Sequence, residues 1–167
     1  MKSVLLDRST LSLTDKDIEG LWSGLEHLNT YDTTSAKQTV ERCKDAQVVF
    51  TNKVVFDKSI LDQLPKLKYI GILATGTNNV DLEYAKTKGI TVKNVAGYST
   101  HSVAQHTLGL MINLSMSLHN YEKEKSLWPI SETFCRTIHP SFQLKDKVLG
   151  IIGYGTIGKE VARLAEA

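Results

Sequence analysis

Short apolar runs alternate with amphipathic stretches through the first hundred residues of the chain. The runs are rich in Val, Ile and Leu and predict strands, whereas the stretches between them carry apolar residues at three- and four-residue steps and predict helices. Residues 46–51 (AQVVFT) are almost uniformly apolar, as a strand covered on both faces of a sheet would be. The predicted strands are residues 3–6, 46–51, 68–73 and 90–93. This alternation predicts the α/β class, with a flavodoxin-like parallel sheet and helices on both of its faces.

The helices between these strands carry local start and stop signals. Either Thr14 or Asp15 has the chemistry of an N-cap for the first helix. Pro65 ends the second helix, and Gly89 fits the left-handed position that follows the third. The predicted helices are residues 14–25, 59–64 and 81–88.

A longer helix, residues 102–119, is predicted after the sheet. Few charges interrupt it, and Ala104, Leu108 and Ile112 widen its apolar face beyond what a surface helix needs. We therefore expect this helix to be buried against another domain or subunit, and a two-fold contact in a homodimer is the commonest solution. The polar stretch that follows, residues 122–147, is interpreted as an arm or linker.

The final stretch, VLGIIGYGTIGKEVARLAEA, contains a glycine-rich turn. The pattern GxGxxG alone is a weak signal, but here an apolar strand pattern, residues 148–152, enters the turn and a helix pattern leaves it. In a dinucleotide-binding unit, Gly153 would permit the tight turn, Gly155 would let the backbone approach a pyrophosphate, and Gly158 would let the helix pack closely. The alternative is a tight turn that binds no ligand.

The start of the last helix predicts how such a turn would hold phosphate. The backbone N–H groups near Thr156 and Ile157 would point toward the phosphates, with the positive end of the helix dipole behind them. An acidic residue about 20 positions further on would select NAD over NADP. That position lies beyond residue 167, so NAD is expected and NADP is not excluded.

A second candidate site, residues 74–81 (ATGTNNVD), follows the third predicted strand. Ligands of open α/β sheets bind beyond the carboxyl ends of the strands, so the position suits a binding site. Thr75 and Gly76 could offer backbone N–H groups and a hydroxyl to a small carboxylate. The alternative is that Asn79 or Asp81 merely caps the next helix, and both interpretations can hold at once.

Composition narrows the classes of function. The 167 residues are 41% hydrophobic and 23% charged with a net charge of +2, as in a globular domain. Lysines and arginines are scattered, so no nucleic-acid partner is expected. Cys43 and Cys135 could form one disulfide or remain two free thiols, and free thiols are favoured. Their spacing indicates no metal site. Neither a signal peptide nor a spanning helix is predicted, so we expect a cytoplasmic chain with no membrane partner.

Three blocks in order, TGTNNVDL, SVAQHTLGLM and GIIGYGTIG, resemble the D-isomer-specific 2-hydroxyacid dehydrogenases, and most of all the glycerate dehydrogenase (hydroxypyruvate reductase) subset. The resemblance spans essentially the whole chain. It implies an oxidoreductase that transfers a hydride between a nicotinamide and C2 of a small 2-hydroxy or 2-oxo acid. It also implies that residues 1–99 are part of a substrate domain. Residues 100–167 would then hold a connecting helix, an arm and the first βα unit of a Rossmann NAD-binding domain.

The resemblance implies positions for the ligands as well. The family's carboxylate-binding loop falls on Thr75, Gly76 and Thr77. Thr107 matches a helix threonine near the nicotinamide, with a hydroxyl bonded to its own helix as the alternative. A second substrate-facing turn falls on Thr51, Asn52 and Lys53, although a lone surface lysine is more often only solvated. The implied cofactor-binding residues are Thr107, Gly153, Tyr154, Gly155, Thr156, Ile157 and Gly158.

The family's catalytic arginine, glutamate and histidine arise downstream of the glycine-rich turn, so no catalytic residue is expected within this chain. His101, His106 and His119 match none of them. We therefore expect an N-terminal fragment of a longer dehydrogenase that is inactive alone. Two alternatives remain open: a non-catalytic module that dimerises and binds a small acid, and a degenerate gene remnant.

Overall fold

The computed structural model describes residues 1–25, 27–133 and 135–166 of the chain. The chain divides into two compact units, Met1–Ala96 and Gly97–Ala167. Their assignment to a substrate domain, residues 1–99, and the start of a cofactor domain, residues 100–167, stays a prediction. Within the described ranges, no helix is long and apolar enough to cross a membrane.

The first unit is built on a five-stranded sheet. Every neighbouring pair of strands is parallel, and the strand order is β2-β1-β3-β4-β5. This is the flavodoxin-like order, which confirms the predicted α/β class and the parallel arrangement. The strands are β1 (Lys2–Leu5), β2 (His27–Thr30), β3 (Val48–Thr51), β4 (Tyr69–Ile72) and β5 (Thr91–Asn94).

Strand β2 and the helix after it were not predicted. The sequence of β2, HLNT, alternates between exposed and half-buried positions because β2 lies at the edge of the sheet. An edge strand buries little surface and so lacks the apolar run that marks β1, β3 and β4. The helix that returns from it, α2 (Ala36–Cys43), buries only Thr39 and Cys43. The sequence therefore predicted four strands of this sheet and missed the edge strand β2.

The predicted caps of two helices are confirmed. Helix α1 (Asp15–Leu21) begins after Thr14, whose hydroxyl accepts the Asp17 N–H at 3.3 Å, while the Asp17 carboxylate accepts the Thr14 N–H at 2.8 Å. The hydrogen bond from the Thr14 hydroxyl is the main cause of the lowered pKa of Asp17. Helix α4 (Leu82–Thr87) begins after Asp81, whose carboxylate accepts the Tyr84 N–H at 2.9 Å. Gly89 follows α4 with a φ of +70°, the left-handed conformation expected of it.

Two predicted helices differ from the structure at their ends. Helix α1 ends at Leu21, four residues before the predicted end, because the chain turns there and the Leu25 N–H donates to the Trp22 carbonyl at 2.8 Å. Helix α3 (Lys58–Leu61) begins one residue earlier than predicted, since the Asp57 carboxylate accepts the Ile60 N–H at 3.0 Å. It also ends three residues before the predicted end at 64, because the chain turns there and the Leu64 N–H donates to the Leu61 carbonyl at 3.3 Å, so Pro65 does not end it.

The hydrophobic core of the first unit lies between the sheet and its helices. Alternate residues of the central strands supply it from one face, and Phe56 and the helices cover them. Among its buried members are Val4, Leu6, Val49, Phe56, Leu61, Leu64, Ile70, Ile72, Ala85 and Ile90.

An aromatic cluster covers one part of the sheet, and a glycine makes room for it. The Phe50 ring lies edge-on to Trp22, with ring centroids 4.3 Å apart, and 6.3 Å from the Tyr69 ring. A Cβ atom on Gly71 of β4 would lie only 2.6 Å from Phe50 Cδ1 and 2.9 Å from Phe50 Cε1. Gly71 is therefore the residue that lets the Phe50 ring pack flat over β4.

In the second unit, the predicted helix 102–119 is divided in two. Helix α5 (Thr100–Met116) ends at Ser117, which has a φ of +52°, and helix α6 (Leu118–Glu124) begins directly after it. The Ser117 hydroxyl donates to the Pro140 carbonyl at 2.6 Å, so a contact 23 residues away holds the break. The stretch interpreted as an arm, residues 122–147, is partly helical, because α6 and a 3₁₀ turn, Lys125–Leu127, extend into it.

The predicted strand before the glycine-rich turn does not form. Residues 148–152 have no strand partner among the described residues, and Val148 and Ile152 are fully exposed. A strand is defined by its neighbours, and the apolar pattern alone supplies none. The helix of the predicted βα unit does form, as α7 (Thr156–Glu166).

We expect Gly71→Ala to lower the free energy of unfolding by about 1–3 kcal/mol, because the added methyl group would displace the Phe50 ring. Gly20→Ala is the matched control: Gly20 lies in α1, and a Cβ atom there meets nothing within 4 Å. This change should stabilise the chain by about 0.5–1 kcal/mol through helix propensity. Urea denaturation followed by circular dichroism measures both values, and equal midpoints for the two variants would contradict the packing account.

Candidate functional site

The candidate substrate residues lie at one edge of the sheet. Because all strands are parallel, their carboxyl ends meet there, and the turns after β1, β3 and β4 are neighbours. Thr51 of β3 pairs with Ile72 of β4, and the Leu73 N–H donates to the Thr51 carbonyl at 2.8 Å. The structure thus brings together two predicted segments, the β3 loop (residues 51–53) and the β4 loop (residues 75–77).

The β4 loop leaves its backbone donors free. Thr75 and Gly76 are exposed and Thr77 is half-buried. The carbonyl of Thr75 accepts the Asn94 side-chain amide at 2.7 Å, and that of Thr77 accepts the Val80 N–H at 3.0 Å. The N–H groups of residues 75–77 have no acceptor in the described part of the chain. The loop is therefore held through its carbonyls and can offer its amides to an anion.

The segment after the β4 loop is fixed to the chain that follows β3. The Asn79 side-chain amide donates to the Val54 carbonyl at 3.1 Å, and the Phe56 N–H donates to the Asn79 carbonyl at 2.8 Å. Asp81 caps α4, as described above. The capping interpretation of this segment is therefore confirmed for Asp81, whereas Asn79 ties two loops together.

The β3 loop, in contrast, has its backbone donors occupied. The carboxylate of Asp7, two residues after the end of β1, accepts the Asn52 N–H at 2.9 Å and the Lys53 N–H at 2.6 Å. The Thr51 hydroxyl donates to the same carboxylate at 3.1 Å. The side chain of Lys53 is exposed. Sequence reasoning missed Asp7, whose only signal was an acidic residue placed where the first apolar run ends.

The glycine-rich turn (residues 153–158) has the backbone geometry that its motif requires. Gly153 has a φ of +92°, a conformation that favours glycine. A Cβ atom on Gly158 would lie 2.3 Å from the Gly153 carbonyl oxygen, so this position excludes any side chain. A Cβ atom on Gly155 would meet nothing within 4 Å, and the space beside it is open. Tyr154 and Ile157 are exposed beside the turn.

Thr107 makes the hydrogen bond that the alternative interpretation predicted. Its hydroxyl donates to the Val103 carbonyl one turn earlier in α5, at 2.8 Å. An oxygen that donates within its helix can still accept a hydrogen bond from a ligand. Thr107 and the glycine-rich turn belong to the second unit, whereas the β3 and β4 loops belong to the first.

An ion-pair cluster connects α7 to the first turn of α5. The Glu160 carboxylate, which is 14% exposed, accepts hydrogen bonds from Arg163 at 2.8 and 3.0 Å and lies 3.0 Å from His101 Nδ1. The hydrogen bonds from Arg163 and then His101 lower the pKa of Glu160 from 4.5 to about 2. His101, for which no catalytic role was expected, thus contacts the helix that follows the glycine-rich turn.

Both cysteines are free thiols, as the sequence favoured. Cys43 is buried, and burial raises the pKa of its thiol from 9.0 to about 12, whereas Cys135 is exposed. A thiol with so high a pKa stays protonated and does not act as a nucleophile. Within the described ranges, no group of three or more His, Cys, Asp or Glu side chains could hold a metal ion.

Comparison with known proteins decides the family. Residues 4–162 match the model of the D-isomer-specific 2-hydroxyacid dehydrogenase catalytic domain. The chain belongs to this family. The resemblance inferred from the three sequence blocks is confirmed.

Individual relatives of the chain agree with this family assignment. A presumed 2-hydroxyacid dehydrogenase of Haemophilus influenzae is 44% identical over all of the chain and 53% of its own length. The hydroxypyruvate reductase of Blautia hydrogenotrophica is 36% identical, again over all of the chain and 53% of its own length. The D-lactate dehydrogenase of Aquifex aeolicus, solved with NAD and lactic acid, superposes with a TM-score of 0.80 at 26% identity, over 99% of the chain and 48% of its own. The chain therefore spans about half the length of these relatives.

Acid is expected to weaken the contact between α5 and α7. Since the pKa of Glu160 is lowered to about 2, its stabilising contribution is complete above its ordinary value of 4.5 and is lost as the pH falls toward 2. We expect Glu160→Gln to remove this part of the pH dependence. The measurement is the midpoint of urea unfolding as a function of pH between pH 5 and pH 2, about the range that these two pKa values define.

Glu166→Gln is the control for this experiment, because Glu166 is exposed at the end of the same helix. It should keep the pH dependence of the native chain. Identical curves for native chain and Glu160→Gln would show that the cluster contributes nothing to stability.

Proposed function

We propose that this chain supplies the acid-binding loops and the first phosphate-binding turn of an NAD(P)-dependent 2-hydroxyacid dehydrogenase. The substrate would be a small D-2-hydroxy acid or its 2-oxo counterpart, of the glycerate and hydroxypyruvate kind. The observation that carries this proposal is the row of free amides in the β4 loop, at the carboxyl edge of a parallel sheet in a chain of this family. Consecutive backbone N–H groups without acceptors suit a carboxylate.

The proposed substrate site consists of Asn52 and Lys53 of the β3 loop with Thr75, Gly76 and Thr77 of the β4 loop. The amides of the β4 loop would hold the carboxylate, and the exposed ammonium group of Lys53 would lie near the remainder of the acid. Support comes from the relatives: one is named a hydroxypyruvate reductase, and another was solved with lactic acid bound. Both ligand names denote small 2-oxo or 2-hydroxy acids.

The proposed cofactor site consists of Thr107 and residues 153–158. The turn leaves open space beside Gly155, and α7 begins at Thr156 with its first backbone donors unused by the helix. A dinucleotide pyrophosphate would lie against these donors. NAD is the proposed cofactor, since the Aquifex aeolicus enzyme was solved with it, and NADP stays open.

The chain alone should give no turnover. The resemblance places the arginine that orients the substrate and the glutamate–histidine pair that moves the proton beyond residue 167. Arg136 does not replace that arginine, because it pairs with Glu124 at 3.1 Å within the second unit. The cytoplasmic location stays a prediction, in keeping with two free thiols.

The direct test measures oxidation of NADH or NADPH by hydroxypyruvate. We expect none with residues 1–167, and turnover with a longer protein in which the rest of the family's length follows. In that longer protein, Gly155→Ala should raise the Kd for the cofactor at least about tenfold, because a methyl group would stand where the pyrophosphate approaches. The unfolding midpoint should not change, since the methyl group meets nothing within 4 Å.

Gly158→Ala is the contrasting variant. It should lower both cofactor affinity and stability, because its methyl group would lie 2.3 Å from the Gly153 carbonyl oxygen. Turnover by residues 1–167 above a protein-free blank would overturn the fragment interpretation. Unchanged cofactor affinity in Gly155→Ala would overturn the cofactor site.

We also propose a homodimer through α5, a contact that suits the dehydrogenase and is required by the alternative function, a dimerising binding module. The helix exposes Val103, Leu110, Ile112 and Leu114, with Leu114 69% exposed. Such an apolar surface is typical of a protein–protein contact. The proposed contact is made by α5 and not by the whole predicted helix 102–119, because the helix ends at Ser117.

We expect sedimentation equilibrium to find a dimer of the native chain and a monomer of Leu114→Asp. Val55→Asp is the control, since Val55 is 57% exposed in the first unit, outside α5. It should leave the dimer intact. A native chain that stays monomeric at high concentration would contradict the proposed contact.

A further inference from the structure

A buried carboxylate lies beneath one of the two loops of the proposed substrate site. Asp7 is only 4% exposed and lies two residues after Leu5, the last residue of β1. Its Oδ1 accepts the Asn52 N–H at 2.9 Å, and its Oδ2 accepts the Lys53 N–H at 2.6 Å and the Thr51 hydroxyl at 3.1 Å. Removing a carboxylate from water is unfavourable unless several donors replace the water, and here three donors do so.

The same contacts fix the β3 loop to the turn after β1. The Thr51 hydroxyl, which donates to Asp7, also accepts the Val54 N–H at 3.0 Å. The Asn52 side-chain amide donates to the Thr10 hydroxyl oxygen at 3.0 Å, and that hydroxyl donates to the Asp7 carbonyl at 2.7 Å. Two segments more than 40 residues apart in the sequence thus form one hydrogen-bonded unit. The conformation of the β3 loop depends on Asp7.

The two neighbouring loops differ in one respect that matters for an anionic ligand. Both follow buried parallel strands, and both present consecutive backbone N–H groups beyond the sheet edge. In the β3 loop the carboxylate of Asp7 already takes these donors. In the β4 loop no acceptor takes them in the described part of the chain. The protein's own carboxylate occupies one loop and leaves the other open.

We propose that Asp7 is a positioning residue that directs a ligand carboxylate to the β4 loop by occupying the backbone donors of the β3 loop. The β3 loop then meets the ligand only through side chains, chiefly that of Lys53. The negative charge of Asp7 also disfavours a second carboxylate beside the β3 loop. The directing role rests on the proposed function in one respect, namely that the ligand is a small acid.

The test uses the ¹⁵N-labelled chain of 167 residues and follows its backbone amide resonances. The probes are sodium acetate and sodium D-glycerate, with sodium chloride as the control for ionic strength. In the native chain we expect the amide resonances of residues 75–77 to shift with either acid, while those of Asn52 and Lys53 stay in place. In Asp7→Ala, the Asn52 and Lys53 resonances should move even without ligand and should then also respond to acetate.

Two further variants complete the design. Asp7→Asn keeps one carbonyl oxygen as acceptor and loses the charge, so its response should lie between those of the native chain and Asp7→Ala. Asp32→Asn is the matched control: Asp32 is an exposed carboxylate after β2 that pairs with Arg8 at 2.7 Å and does not contact the β3 loop. It should behave as the native chain does. If Asp7→Ala does not fold, the proposal is tested by the response of the Asn52 and Lys53 amide resonances to acetate in Asp7→Asn.

Each outcome bears on the proposal without any catalytic turnover. A response of Asn52 and Lys53 to acid in the native chain would overturn it, as would an Asp7→Ala variant that responds like the native chain. If no amide shifts with either acid in any variant, the directing role is wrong and the substrate site of the proposed function is wrong with it. If the amides respond as expected and the longer protein shows no turnover, only the proposed reaction fails.

Discussion

Parallel pairing of the strands is the constraint on which the other features of the first unit depend. It requires each strand to be followed by a crossover, and it places every carboxyl end at the same edge of the sheet. Val4, Val49 and Ile70 pair across β1, β3 and β4, so the turns after these three strands begin level with one another. The contacts of Asp7, the β3 loop and the β4 loop all follow from that alignment.

This edge shows how one backbone geometry can serve two purposes. A turn after a parallel strand can present backbone N–H donors at every residue except proline. Where a side chain from the turn after the neighbouring strand supplies the acceptor, as Asp7 does, the turn becomes a rigid part of the scaffold. Where none does, as at Gly76, the turn is left to meet a ligand. The difference between scaffold and site is therefore the presence of one carboxylate.

Sequence reasoning succeeded where the signal is local. Apolar runs located β1, β3, β4 and β5, and the caps at Thr14 and Asp81 depend only on residues within three positions of each. It failed where the cause is distant in the chain. The break at Ser117 is held by the Pro140 carbonyl, and the partners of Asp7 are 44 to 46 residues away. In the sequence, no glycine, proline or hydrophobic periodicity marks Ser117 as a helix break or Asp7 as a loop partner.

The exposed segment before the glycine-rich turn has a consequence for handling the isolated chain. Residues 148–152 are apolar, Val148 and Ile152 are fully exposed, and the segment has no strand partner in the described ranges on either side. Such a segment is a template onto which another strand can add, and the lysines just before it, Lys145 and Lys147, are exposed. Trypsin should therefore cut the chain there well before it cuts within the sheet of the first unit. A neighbouring strand supplied from further along a longer chain would suppress this cleavage.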